Sequence, residues 1–313
     1  MDLPELLIRG RRFVWGARTY VMGVINVTPD SFSDGGRHLT PGAARRQAEC
    51  LVDAGADILD VGGESTRPFA KPVRPEDELR RVIPVIEEIR GFTEVPISID
   101  TTKAAVAQAA LEHGADLVND VSALSFDPGM AGVIARFGCP VVLMHMKGSP
   151  GTMQIDPRYD DVFREVREFL ADRVLQAAEA GIPRRSILVD PGIGFGKRFE
   201  DNLVLLNRLD GFAEIGCAVC VGPSRKAFLG TITGREKPMD RDVATLGAVA
   251  VAALRGAHLV RVHEAAWTKE LLQVVDAIRR EGISPEEAVP RRSTGLADRS
   301  GPTAGTGGEP PAF

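Results

Sequence analysis

No apolar stretch in this 313-residue chain approaches the ~18 residues a helix needs to cross a bilayer, so no membrane partner is expected. No run of Lys or Arg is long enough to track a phosphate backbone. The 38 basic residues are outnumbered by 43 acidic ones, and the net charge of −5 argues against a nucleic-acid partner. Cysteine is scarce, with four in all. Cys50 and Cys139 sit in apolar contexts. Cys217-Ala-Val-Cys220 has redox or zinc spacing but no second pair to complete a site. That pair lies inside the apolar run 215–221, where strand alternation sends the two thiols to opposite faces, so buried, reduced thiols are expected. The opening residues Met1-Asp-Leu-Pro-Glu5 lack a basic segment followed by an apolar one, which points to the cytoplasm. No Ser–His or Cys–His nucleophile pair stands out either.

What the chain does have is bulk and rhythm. At this length, with 44% hydrophobic residues, it can bury roughly 75% of its unfolded surface, enough for one large core. Short β-branched runs ending in polar residues recur at 20–26, 58–62, 97–100, 117–120, 141–145, 187–190, 218–222 and 259–263. Helical stretches separate them. Thr40-Pro41 and Asp127-Pro128 each place a capping side chain before a Pro at the first helical position, and Pro75-Glu-Asp-Glu78 puts negative charge in a first turn. Strands this apolar, alternating with helices, imply a parallel sheet covered on both sides, and eight such units match a closed (β/α)₈ TIM barrel. An open doubly wound sheet is the second choice. Residues 1–284 are read as the barrel domain, with 1–18 forming an N-terminal hairpin that plugs its bottom. Residues 285–313, rich in Gly, Pro, Ser and Thr, are read as a disordered tail.

Barrel enzymes carry their chemistry at the C-terminal ends of the strands. Here those ends hold Asn26, Asp60, Asp100, Asn119 with Asp120, His145, Asp190, Ser224 to Lys226, and Arg261 with His263. Any one of these suits a cap; eight polar strand ends together suit a site. Asp100 and Asp190 need donors facing them, which Lys226, Asn119 or a ligand can supply. Converging Asp and Asn side chains fit a flat heterocycle with amino and ring N–H groups. Arg261 and His263 share a strand face and, with Arg67, make a cationic corner for phosphate. Asn26 offers a neutral oxygen to a hard cation such as Mg²⁺ that already bridges phosphates. The segment Asn26-Val-Thr-Pro-Asp-Ser-Phe-Ser-Asp-Gly-Gly36 is too polar to build an element and reads as a mobile active-site cover, with Phe32 set among turn formers. Pro191-Gly-Ile-Gly-Phe-Gly-Lys197 is neither a dinucleotide fingerprint nor a Walker loop, and reads as a βα loop whose Phe195 stacks near a ligand. His145 reads as a packed histidine, since no second His or Cys stands at ligand spacing.

Segments 21–36, Asp60-Val-Gly-Gly-Glu-Ser-Thr-Arg-Pro68, Ser98-Ile-Asp-Thr101, Asn119-Asp-Val-Ser122, Leu143-Met-His-Met146, Asp190 to Lys197, Ser224-Arg-Lys226 and Arg261-Val-His263 resemble the dihydropteroate synthase family, in the right order, from about 20 to 283. The chain departs from the family at Phe69, where Gly is usual, at Pro223, and at Glu264, where Asp is common. The resemblance implies condensation of 6-hydroxymethyl-7,8-dihydropterin diphosphate with 4-aminobenzoate, with Mg²⁺ as cofactor, in a homodimer of a sulfonamide-target family. It implies a pterin pocket of Asp100, Asn119, Asp190 and Lys226 lined by Met144 and Gly222. Diphosphate and metal contacts fall to Asn26, Arg261 and His263. Thr66, Arg67, Phe195 and Ser224 fall on the arylamine side, and Phe32 and Asp34 in the closing loop. Asn26, Phe32, Asp34, Arg67, Lys226, Arg261 and His263 are thereby the candidate catalytic residues. A pterin-binding methyltransferase domain, or a catalytically silent pterin-binding paralogue, is the alternative. The first is expected to lack the 26–36 loop and Ser224-Arg-Lys226, the second to lose Gly62 to Arg67.

Overall fold

The computed structural model of the protein describes residues 3–28 and 41–282. Strands β1 (Leu6–Ile8) and β2 (Arg11–Phe13) pair antiparallel through a two-residue turn. Arg9 and Gly10 in that turn both have positive φ, the geometry that matches the twist of a tight hairpin. The barrel strands follow as β3 (Tyr20–Asn26), β4 (Ile58–Gly62), β5 (Ile97–Asp100), β6 (Leu117–Asp120), β7 (Val141–Met144), β8 (Ile187–Asp190), β9 (Ala218–Val221) and β10 (Leu259–Val262). They close in the order β10-β3-β4-β5-β6-β7-β8-β9, every neighbour parallel. Three runs end one residue earlier than the sequence suggested, which leaves His145, Gly222 and His263 just past their strands.

The outer layer comprises α1 (Pro41–Asp53), α2 (Pro75–Arg90), α3 (Ala104–Glu112), α4 (Met130–Phe137), α5 (Val162–Glu179), α6 (Phe199–Asn207), α7 (Ala227–Thr233), α8 (Asp242–Leu254) and α9 (Ala266–Arg280). No helix among the described residues is long and apolar enough to cross a membrane.

Strand alternation sorts the core into two bodies. Outward residues such as Val21, Leu59, Ile99, Val118 and Val189 pack against the helices. Inward residues Met22, Ile58, Leu117, Val142, Leu188 and Leu259 fill the lower barrel. The hairpin closes that end as expected, with Leu6, Ile8, Phe13 and Trp15 joining the inward cluster and the Phe13 ring 4.8 Å from Tyr20. Above this apolar floor the inward positions become polar: Asp60, Ser98 and Asp100, Asn119, Asp190 and Arg261.

Some expectations need correction or fall outside the described residues. Cys50 is exposed on α1, whereas Cys139, Cys217 and Cys220 are buried, the last two in opposite packing layers. The helix after Asp127-Pro128 starts only at Met130, because the Asp127 side chain caps a preceding turn at Gly129 and also accepts from the first amide of α3, Ala104. The acidic first turn of α2 is present as expected, and its Glu78 is fully buried and accepts from Lys103 at 2.5 Å. Thr40 and the tail from 285 lie outside the described residues.

Candidate active site

The upper barrel mouth holds a cleft of about 340 Å³. Asp100, Asn119, Asp190 and Lys226 converge on it, Met144 and Gly222 line it, and Thr66, Phe195 and Arg261 complete the wall. Val121 and Ile193 also line it; their apolar side chains carried no chemical signal in the sequence. A wider groove, about 530 Å³, lies at the opposite end between the hairpin and α3 and α4. Its charged groups, Arg9 and Asp116, already face each other at 3.4 Å, so the smaller cleft, where unlike groups converge, is the better site.

Burial shapes the ionisation of every group there. It pushes the Asp100 carboxyl up to about 7, against the pull of Arg261 and with the push of Asp60, Glu78 and Asp120. It raises Asp190 to about 6, opposed by the Gly192 amide, which donates at 2.7 Å, and by Lys226 and Lys197. Lys226 falls to about 7 through burial and the nearby Arg261, and its ammonium nitrogen lies 3.9 Å from the centre of the Phe195 ring. Arg261 is fixed between two carboxylates: Nε donates to Asp60 at 2.6 Å and Nη2 to Asp100 at 2.7 Å. The Asn119 amide donates to the same Asp60 oxygen at 3.2 Å.

The cationic corner is weaker than its three residues suggested. His263 is held neutral, its pKa lowered to about 3 by burial and by Arg225, Arg261, Lys226 and Arg67. Its Nδ1 shares a hydrogen bond with Ser224 Oγ at 2.9 Å. Arg67 is exposed on the β4–α2 loop and does not line the cleft. That loop is nonetheless anchored. Glu64 accepts from the Val73 amide at 2.8 Å and from Lys103, and Arg81 donates to the Gly63 carbonyl at 2.7 Å. Phe69, in the same loop, has φ of +64°, the left-handed region that glycine enters freely and a side chain enters at a cost.

The β8–α6 loop depends on backbone contact. Gly192 has φ of +69°, and a Cβ there would stand 1.9 Å from the His145 carbonyl oxygen. Lys197 closes the loop from below, its Nζ 2.7 Å from His145 Nδ1 and 3.0 Å from the His145 carbonyl. Sequence reasoning missed this buried lysine because nothing local distinguishes it from a surface one. His145 is packed as expected, 4.9 Å from the Phe169 ring in an edge-on contact.

Asn26 ends β3 opposite Gly62 in register, with the Asp100 side chain packed over that glycine. Phe32 and Asp34 lie outside the described residues.

With this geometry in view, the sequence model of pterin binding enzymes matches residues 22–263. The chain belongs to the dihydropteroate synthase family of pterin binding enzymes. A dihydropteroate synthase from Synechocystis is 44% identical over 277 residues, covering 88% of this chain and 96% of that protein. The Xanthomonas albilineans dihydropteroate synthase solved with 4-aminobenzoic acid is 48% identical, with a TM-score of 0.82, covering 88% of this chain and 98% of the other. The same organism's enzyme in complex with 7,8-dihydropteroate aligns at a TM-score of 0.79 with 46% identity, over 88% of this chain and 99% of that one. The barrel predicted from strand rhythm is the fold these solved enzymes share with the chain.

Proposed function

We infer that the protein is a dihydropteroate synthase, a transferase that joins 6-hydroxymethyl-7,8-dihydropterin diphosphate to 4-aminobenzoate and releases pyrophosphate. The observation that carries this reading is the convergence of Asp100, Asn119, Asp190 and Lys226 in one buried cleft with Arg261 at its wall. The amino and ring N–H edge of the pterin donates to Asp190 and Asp100, while Asn119 and Lys226 serve its acceptors. Arg261 stands where the diphosphate leaves, and His263, neutral and tied to Ser224, donates a hydrogen bond without adding charge. Thr66, Arg67, Phe195 and Ser224 form the arylamine side, with Phe32 and Asp34 in the covering loop.

Asn26 fits a role in holding Mg²⁺. A magnesium ion takes one or two protein oxygens and completes its shell with phosphate and water, and Asn26 supplies a hard neutral oxygen at the end of β3, opposite Gly62. When bound, the ion neutralises charge on the leaving diphosphate. The chain's own residues orient the pterin methylene. Its C–O bond to the diphosphate breaks, the neutral arylamine nitrogen forms the new C–N bond, and the nitrogen gives its proton to solvent. No nucleophile or base pair is required.

We place the enzyme in the cytoplasm as a homodimer. Free cysteines support the first. The second is supported by α8, which is apolar all round and leaves Val243, Val251 and Leu254 exposed. Pyrophosphate release tests the activity: it should require the pterin diphosphate, 4-aminobenzoate and Mg²⁺ together. Release that ignores 4-aminobenzoate would overturn the assignment.

A further inference from the structure

Asp60 lies one layer beneath the cleft. It is fully buried, pairs in register with Ser98 on β5, and does not line the cleft. A carboxylate so deep is costly unless paired. Its Oδ2 accepts from two residues that do line the cleft, Arg261 through Nε at 2.6 Å and Asn119 through its amide at 3.2 Å. The guanidinium is planar, so fixing Nε on Asp60 and Nη2 on Asp100 fixes the whole fork. Its remaining nitrogen, Nη1, has no partner among the described residues.

We propose that Asp60 is a positioning residue: its buried carboxylate sets the plane of Arg261 and the amide of Asn119, and so fixes how these two groups stand relative to each other when they receive the pterin diphosphate. This rests on the dihydropteroate synthase reading. Asp60 touches no substrate; it acts through two residues that do. It also holds a negative charge beside Asp100, which is faced by Arg261 from β10, Lys226 from the β9–α7 junction, Asp120 from β6 and Glu78 from α2. Removing the Asp60 charge therefore eases the ionisation of Asp100.

Asp60→Asn keeps the shape and removes the charge. The expected result is a fall of about 30-fold or more in kcat/KM for the pterin diphosphate, with KM for 4-aminobenzoate within about 3-fold. The acid limb of pterin binding, followed by calorimetry with a pterin analogue, should move to lower pH, a change that a purely structural role would not produce. Asp60→Ser, which adds no bulk, serves if Asp60→Asn does not fold. Wild-type kcat/KM with an unmoved acid limb in a folded variant would overturn the proposal, and so would failure of both variants to fold. A wild-type protein that binds the pterin analogue but makes no dihydropteroate would instead sink the functional reading, while the binding limb still tests Asp60.

Discussion

Asp190 illustrates how much one side chain sets at this site. It ends an apolar strand, accepts from the Gly192 amide at 2.7 Å, has the buried Cys220 thiol beside it, and faces the cleft. Asp190→Asn turns an acceptor into a donor facing donors, and we expect pterin binding to weaken by about 2–4 kcal/mol with the fold retained, as titration calorimetry would measure. The pH dependence follows from the same burial. Asp100 and Asp190 titrate at about 7 and about 6 in the free protein, and pterin donors favour their ionised forms. Their pKa values therefore fall on binding and protons are released below about pH 7, so affinity rises as pH climbs from about 5; above about 7 it falls again, as Lys226, itself lowered to about 7, loses the proton it donates. Calorimetry in buffers of different ionisation enthalpy should report that release. Uptake of protons would contradict it. His263, lowered to about 3, should add no inflection between pH 5 and 8.

Among the elements, the β8–α6 loop is the one whose shape is dictated by backbone contact. Gly192→Ala meets both a left-handed φ and a carbonyl oxygen 1.9 Å away, and backbone cannot yield as a flexible side chain can. The loop must move, taking the amide that Asp190 uses. We expect a loss of about 3 kcal/mol or more, read as a melting temperature lowered by several degrees, and weaker pterin binding. An unchanged melting temperature would mean the loop is free to shift. The strands and most helix starts were legible beforehand, because two-residue alternation and capping residues are local signals. The start of α4 was not: Asp127 divides its carboxylate between Gly129 and the first residue of α3, a partner contributed by another element.

At the scale of the whole molecule, the exposed seam on α8 carries the prediction. Val243, Val251 and Leu254 recur at helical spacing, with Leu254 57% exposed, on a helix whose other faces are already apolar. Val251→Lys with Leu254→Lys should turn a dimer into a monomer by light scattering. If the wild-type chain is itself monomeric at tens of micromolar, the homodimer proposal fails.

The amino-acid sequence by itself determined the barrel, the hairpin plug and the residues at the strand ends, because those follow from period, capping and the position of polar groups along each strand. It also placed Asp100, Asn119, Asp190, Lys226 and Arg261 correctly at one mouth, since every parallel strand in such a barrel ends on the same side. Only the tertiary structure decided how they are charged and who holds them. Arg261 and Asp60 are 201 residues apart, yet barrel closure of β10 on β3 brings them to 2.6 Å. Lys197 and His145, 52 residues apart, meet because they follow the neighbouring strands β8 and β7. Pairing and desolvation depend on what surrounds a group in space, so the neutral His263 and the clamped Arg261 could not be read from the order of residues along the chain.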